Sequence, residues 1–200
     1  MRENYQLKLD KTLEEIKTNG AKPRLLLQVC CAPCSSYVLE YLNDIFDITL
    51  FFYNPNISPQ KEYEFRADEL KRLTIQMPLK NIPDIVVNDY DYNEFLDTVK
   101  GFEQEKEGGA RCFLCYELRL RKAADYAKNN NFDYFCTTLS ISPHKNAQKL
   151  NEIGEKLSKE YGMKYLFSDF KKKNGYKRSI ELSNEYNLYR QDYCGCEFSR

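Results

Sequence analysis

The chain has 200 residues and a mass of 23.7 kDa, with 42% hydrophobic residues and 30 basic against 30 acidic side chains. This length favours a single domain over residues 1–200, and the even charge excludes a strongly basic or acidic protein without excluding a local patch. Since no apolar stretch approaches ~20 residues and the N-terminus lacks a signal-peptide pattern, we expect a cytoplasmic protein with no membrane partner.

Apolar periodicity alternates between strand-like and helix-like segments along the chain. After a helical extension over 1–20, strands are predicted at 24–30, 46–53, 84–88, 133–139 and 164–168, with helices at about 35–44, 59–77, 92–100, 113–129, 146–161 and 176–187. This alternation indicates an α/β fold with one parallel sheet flanked by helices. Ligands bind beyond the carboxyl ends of such strands, so CCAPC at 30–34 and TTLSISPHK at 137–145 are expected to line one crevice.

Seven of the eight cysteines fall into three groups, namely Cys30, Cys31 and Cys34, then Cys112 and Cys115, then Cys194 and Cys196. In a reducing compartment, clustered thiols bind metals or do redox chemistry more often than they form disulfides. A structural zinc site uses four ligands, whereas a four-cysteine iron–sulfur cluster would leave three thiols for a second ion. Strand alternation would point Cys30 and Cys31 apart and make them poor ligands for one ion. The eighth thiol, Cys136, is expected to pack in the core.

The segments CCAPC, EGGARCFLCYELRL, TTLSISPHK and YRQDYCGCEFS, in this order, resemble the epoxyqueuosine reductase QueH family from about Leu25 to Ser199. The resemblance implies an adenine-nucleotide-hydrolase-like (HUP) fold and a cobalamin-independent oxidoreductase. Its reaction would reduce epoxyqueuosine to queuosine in the anticodon loop of tRNAs with a GUN anticodon. The electron donor is not identified by the sequence.

The resemblance also implies a [4Fe-4S] cluster and a nearby iron ion. The family's metal-binding cysteines fall on Cys30, Cys31, Cys112, Cys115, Cys194 and Cys196. Cys34 stands where such proteins carry Cys or Asp, and its soft thiolate makes zinc an alternative to iron for the second ion. We place Cys112, Cys115 and one cysteine from each of the other two groups on the cluster.

Removal of an epoxide oxygen to form an alkene takes two electrons and two protons. Candidate proton donors, chosen by location alone, are Tyr116, His144 and Tyr193. His144 is the only histidine, and a metal ligand or a simple turn residue are its alternative roles.

Substrate contacts are expected around the same crevice. Hydroxyls of Thr137, Thr138, Ser140 and Ser142 suit a cyclopentenediol or a phosphate, or else cap the next helix. Tyr53, Asn54 and Asn56 follow the second strand and border the crevice. A basic run (Lys171, Lys172, Lys173, Lys177 and Arg178) would hold tRNA phosphates, with Lys173 and Arg178 as the main contacts, or form an ordinary solvated face.

Two other functions account for parts of the sequence. An ATP-using tRNA sulfur transferase needs a glycine-rich phosphate loop after the first strand, and CCAPCSS has no glycine there. A zinc-stapled, non-catalytic RNA-binding module would leave the adjacent Cys30 and Cys31 without a role. The reductase is the function we favour.

Overall fold

The computed structural model describes residues 3–199, so the first two residues of the expected N-terminal extension and the last residue of the expected single domain lie outside it. The strands are β1 (Arg24–Gln28), β2 (Asp47–Phe52), β3 (Asp84–Val87), β4 (Tyr134–Thr137) and β5 (Lys164–Tyr165). They form a parallel sheet in the order β3-β2-β1-β4-β5. The α/β fold with one parallel sheet is thereby confirmed, and the order is compatible with a HUP-like topology.

Helices cover both faces of this sheet. Within the described residues they are α1 (Tyr5–Thr18), α2 (Ala32–Leu42), α3 (Gln60–Gln76), α4 (Tyr92–Val99), α5 (Ala110–Asn129), α6 (Ala147–Tyr161) and α7 (Gly175–Glu185). From α2 onward the bounds agree with the sequence predictions to within three residues, and α1 lies within the expected helical extension over 1–20. None of these helices has the length and apolar character needed to cross a membrane.

Side chains of the strands alternate between two cores, as the pleat requires. In β1, Leu25 and Leu27 pack with α1, α2 and α3, whereas Leu26 packs with α5 and α6. In β2, Leu50 and Phe51 divide in the same way. Because both faces are covered, these strands are apolar in continuous runs, which is the pattern that the sequence showed. Cys136 of β4 is fully buried in the first core, which confirms its expected packing role.

Two strands, β4 and the edge strand β5, end earlier than predicted, and side chains bond the backbone where they end. β4 stops at Thr137, whose hydroxyl accepts a hydrogen bond from the Leu139 backbone (3.2 Å) and starts a 3-10 turn over Thr138–Ile141. β5 has only two residues, and beyond it the Ser168 backbone donates to the Asn151 side chain (3.0 Å) rather than to a strand. The early end of β4 allows the turn and loop that follow it to line the site.

The order of the strands places a topological switch point at β1 and β4, where ligands bind in such sheets. β1 lies between β2 and β4, and the chain leaves these central strands toward opposite edges of the sheet. The loops after β1 and β4 meet there, with Cys30 Sγ 3.9 Å from Thr138 Oγ1. The expectation that both motifs line one crevice is thus correct.

Gly154 of α6 provides a test of the packing between this helix and β5. A Cβ at this position would lie 2.3 Å from Cε1 of the Tyr165 ring, which is buried against Phe135 and Phe167. Alanine stabilises a helix by about 0.5–1 kcal/mol relative to glycine. Overpacking of a core, however, lowers stability by about 1–3 kcal/mol. Gly154→Ala should therefore lower the free energy of unfolding by about 1–2 kcal/mol in urea titrations. The exposed Lys159→Ala on the same helix is the control, with a change below about 0.5 kcal/mol; a stabilised Gly154→Ala protein would contradict the tight contact.

Candidate metal centre and pocket

A pocket of about 400 Å³ lies at the carboxyl ends of the central strands. Four of its lining residues are cysteines, namely Cys30, Cys31, Cys34 and Cys194. The remaining wall comes from the turn after β2, from α3 and α5, from the loop before α6 and from the segment after α7. A pocket of this size suits a small organic group.

Cys30, Cys31 and Cys34 form a compact group of thiols, called the thiol trio below. Their sulfur atoms all lie within 4.8 Å of one another, and those of Cys30 and Cys31 are 3.6 Å apart. Sulfur ligands at about 2.3 Å from one tetrahedral ion are about 3.8 Å apart. The trio therefore has the spacing of a site for a single metal ion.

The expectation that Cys30 and Cys31 point apart is wrong. It assumed that the strand continues to its predicted end, but β1 ends at Gln28, and strand alternation no longer applies beyond it. Cys31 is the N-cap residue of α2, and Pro33 occupies the first turn of that helix. The change from strand to helix turns both thiols to the same side.

The three thiols of the trio differ in pKa because of their neighbours. Hydrogen bonds from Cys31 and Cys34 hold the pKa of Cys30 well below its usual range despite burial, and the Arg119 guanidinium adds to this. The hydrogen bond between Cys31 and Cys30 raises the pKa of Cys31 to about 12. The hydrogen bond between Cys34 and Cys30 is the main cause that raises the pKa of Cys34 well above its usual range. The trio thus favours one thiolate stabilised by two thiols, and binding of an ion would displace the remaining protons.

The other four cysteines belong to α5 and to the C-terminal segment. Cys112 and Cys115 lie on successive turns at the start of α5, and the Gly108 backbone donates to Cys112 Sγ (3.2 Å). Cys115 packs with Cys196 in a small apolar cluster. Burial raises the pKa of Cys115 to about 11 and that of Cys196 to about 12, and in each case the charge of Cys194 adds to the rise. These four thiols therefore lie within electrostatic range of one another.

Buried cations accompany both groups of thiols, and the sequence analysis missed them. Lys145 Nζ is 3.1 Å from Cys194 Sγ and 3.1 Å from a carboxylate oxygen of Glu107. Arg66 and Arg119 line the pocket and are 2% exposed. One signal was available: Arg119 follows Cys112 and Cys115 by seven and four residues, which puts all three on one side of a helix.

Besides the four cysteines, the predicted substrate contacts and proton donors that line the pocket are Asn54, Asn56, Ser142, His144 and Tyr193. Asn54 is already fully engaged, since it accepts from Gln28 and Arg119 and donates to the Val29 carbonyl. The predicted proton donors His144 and Tyr193 both face the cavity.

Other predicted residues lie behind the pocket wall. Thr137 donates to the Gln28 side chain (2.8 Å) and caps the 3-10 turn, which is the alternative role that the sequence allowed. Ser140 Oγ lies 3.1 Å from the Ser168 hydroxyl. The rings of Tyr53 and Tyr116 are buried in the core between the sheet and α5. Burial raises the pKa of Tyr116, whose hydroxyl has no partner within residues 3–199.

The two predicted phosphate contacts are held in ion pairs at the surface. Lys173 Nζ is 2.7 Å from an Asp10 carboxylate oxygen, and Arg178 binds Glu40 at 2.6 Å. Neither lines the pocket within the described part of the chain.

A parallel α/β sheet with four cysteines and three buried cations at one pocket defines a thiol-rich α/β protein in which Cys30, Cys31 and Cys34 are grouped closely enough to hold a metal ion. A family model described as epoxyqueuosine reductase QueH matches residues 25–200. The relative from Streptococcus pyogenes is 43% identical over the whole chain and 80% of its own length. Those from Staphylococcus epidermidis and Thermotoga maritima are 42% and 35% identical, covering 98% and 88% of this chain and 84% and 89% of their own lengths. All three are named epoxyqueuosine reductase QueH. This chain belongs to the QueH family of oxidoreductases.

Arg111 fastens the C-terminal segment to α5 and provides a test of this assembly. Its guanidinium is buried and donates to the Glu103 carbonyl (2.7 Å), the Glu105 carbonyl and the Phe198 carbonyl (3.1 Å). Arg111→Met leaves these carbonyls unpaired, so we expect the free energy of unfolding to fall by about 1–3 kcal/mol. Limited proteolysis followed by mass spectrometry should also show faster cleavage after residue 186.

The matched control is Arg121→Met on the same helix. Arg121 is half-buried and pairs with Glu117 and Glu160, a type of surface contact that contributes at most about 1 kcal/mol. Equal protease sensitivity of the two variants would show that Arg111 does not hold the C-terminal segment.

Proposed function

We propose that this protein reduces epoxyqueuosine to queuosine in the anticodon loop of tRNA. The observation that supports this most directly is the convergence of the thiol trio and Cys194 on one pocket of suitable size. An ATP-dependent transferase is disfavoured by the same loop, because thiols and a proline occupy the place of a phosphate-binding glycine turn. The reaction belongs in the cytoplasm, where tRNA is located.

The donor set fits the two metal centres that the family resemblance implies. The thiol trio has the spacing for one ion, with iron or zinc as suitable occupants for soft ligands. The remaining group for a [4Fe-4S] cluster is Cys112, Cys115, Cys194 and Cys196. This allocation replaces the sequence-based one, which took one cluster ligand from the trio. When bound, the cluster would supply electrons singly, and the ion would act as a Lewis acid on the epoxide oxygen.

The chain's own residues would manage protons and charge. Conversion of an epoxide to an alkene and water consumes two electrons and two protons, so proton donors have to lie within hydrogen-bond reach. His144 and Tyr193 line the pocket and are suited to this role, whereas Tyr116 would act only from behind the wall. Lys145 places its ammonium group 3.1 Å from Cys194 Sγ, where it would offset negative charge at the site. The electrons come from a separate donor.

The tRNA would approach over α7, where Tyr176 lines the pocket. Lys172 and Lys177 flank this residue, and no ion pair within residues 3–199 involves them. Lys173 and Arg178 are candidate phosphate contacts too, but each has to leave a carboxylate first. Tyr189 and Tyr193, after α7, would stack on unpaired bases of the anticodon loop in tRNAs with a GUN anticodon.

Metal analysis of protein purified without oxygen tests the allocation of thiols. The wild type should contain about four sulfides per chain and more iron than sulfide, or zinc beside the cluster. Cys115→Ala should lose the sulfide. It should also lose turnover of epoxyqueuosine tRNA in an assay with dithionite as the reductant. Cys34→Ala should keep sulfide and lose the additional ion.

Cys136→Ala is the matched control, because Cys136 is a buried cysteine outside the pocket. Its metal and sulfide contents should equal those of the wild type. Zinc without sulfide in the wild type would point instead to a structural zinc protein, and an intact cluster in Cys115→Ala would overturn the assignment of that ligand.

The salt dependence of tRNA binding tests the basic run. Each phosphate contact contributes about 0.7–0.9 to the slope of log K against log salt concentration. Replacing Lys172 and Lys177 by Gln should reduce this slope by about 1.5. Replacing Lys173 and Arg178 by Gln should reduce it by less than about 0.5, because their charges are already compensated by Asp10 and Glu40. Equal reductions would show that these ion pairs break when tRNA binds.

A further inference from the structure

Two amide side chains at the pocket carry oxygen atoms without a hydrogen-bond donor. Asn56 Oδ1 and Gln191 Oε1 are buried and have no partner within the described residues. Asn56 is 1% exposed, and both residues line the pocket. A buried acceptor without a partner is costly, so its retention calls for an explanation.

The two segments that carry these amides are fastened to each other. The turn after β2 holds Asn56, and in that turn the Ser58 backbone donates to the Gly195 carbonyl (2.9 Å). Gln191 lies on the same C-terminal segment as Gly195, and its amide lies beside the Cys31 thiol, where it favours the thiolate. The unpaired oxygen of Gln191 therefore belongs to the same amide group that contacts the thiol trio.

Metal ligation by the thiols cannot satisfy these oxygens. Thiolates and cluster sulfides accept hydrogen bonds, so they would relieve an unpaired donor such as Arg66 Nη2, which is also buried at this wall. Two carbonyl oxygens need O–H or N–H groups instead. Both residues line the cavity, so a ligand in the pocket can supply these groups.

We propose that Asn56 and Gln191 form a subsite for the two hydroxyl groups of the substrate's cyclopentane ring. This inference rests on the proposed function and deepens it. The ring that bears the epoxide also bears the hydroxyls, and the epoxide has to lie at the thiol trio, next to Gln191. Two acceptors bound to two hydroxyls would fix the ring's orientation and hold its epoxide oxygen toward the ion site. The N–H groups of the deazaguanine base are the competing ligand for these acceptors.

Binding of two forms of the same tRNA separates these ligands without requiring turnover. One form carries queuosine, which keeps the ring hydroxyls but has no epoxide. The other carries 7-aminomethyl-7-deazaguanosine, which has the base and no ring. The wild type should bind the queuosine form at least tenfold more tightly in fluorescence anisotropy.

Asn56→Ala and Gln191→Ala should each weaken binding of the queuosine form about three- to tenfold, the effect of one hydrogen bond, and leave the other form unchanged. Asn56→Ala should keep or raise the melting temperature, because the Asn56 oxygen accepts no hydrogen bond within residues 3–199. The control is Asn88→Ala, which removes an asparagine that bonds the Phe52 carbonyl outside the pocket. It should not change the affinity ratio of the two tRNAs.

Three results would overturn the subsite: equal affinities of the wild type for both tRNAs, equal losses for both tRNAs in the variants, or no loss in either variant. Equal losses would assign the acceptors to the base. Loss of metal in Gln191→Ala would make Gln191 a positioning residue for the ion instead. Failure of the proposed function gives a different pattern, in which the wild type prefers the queuosine form but does not turn over epoxyqueuosine tRNA with dithionite.

Discussion

A single buried glutamine joins the strand ends on which the whole site is built. The Gln28 amide nitrogen donates to the carbonyls of Val29 and Tyr53 and to the Asn54 side chain, and its oxygen accepts from the Thr137 hydroxyl. These contacts connect β1, β2 and β4 where backbone pairing stops. In a low-dielectric interior such a satisfied network is strong and directional. β1 ends at this glutamine, and Cys30 and Cys31 follow in the turn that leads into α2.

Compensation of negative charge is the second organising constraint. Thiolates are costly to bury unless cations accompany them. Lys145 contacts Cys194, Arg119 favours the thiolate form of Cys30, and Arg66 donates to the Cys194 carbonyl (3.3 Å). Arg66 is itself held by Glu62 (2.8 Å) on the same helix. The thiol-rich pocket is therefore a balanced polar interior, and this balance is compatible with a metal ion held by the thiol trio.

The pattern of unpaired groups shows where the protein gives up stability. Most polar side chains at the strand ends are paired, including Thr137, Ser140 and Asn54. Within residues 3–199 the exceptions at the pocket are the side-chain oxygens of Asn56 and Gln191 and one guanidinium nitrogen each of Arg66 and Arg119. From the sequence, hydroxyls near the end of β4 were expected to bind substrate, but the Thr137 hydroxyl caps the turn that shapes the site and Ser140 contacts Ser168. Of the two unpaired amides, Asn56 was expected to border the crevice, whereas Gln191 was not singled out from the sequence.

The sequence by itself determined the parallel α/β architecture and the grouping of the thiols, because both depend on local periodicity and spacing. Alternating strand and helix patterns allow few arrangements, and CCAPC after the first strand had to lie at the ligand-binding edge. Only the tertiary structure decided which thiols lie close enough to share an ion and which cations lie beside them. Those relations depend on where β1 stops and on contacts between distant segments, such as Lys145 with Cys194 and Arg119 with Asn54, for which neighbouring residues give no signal.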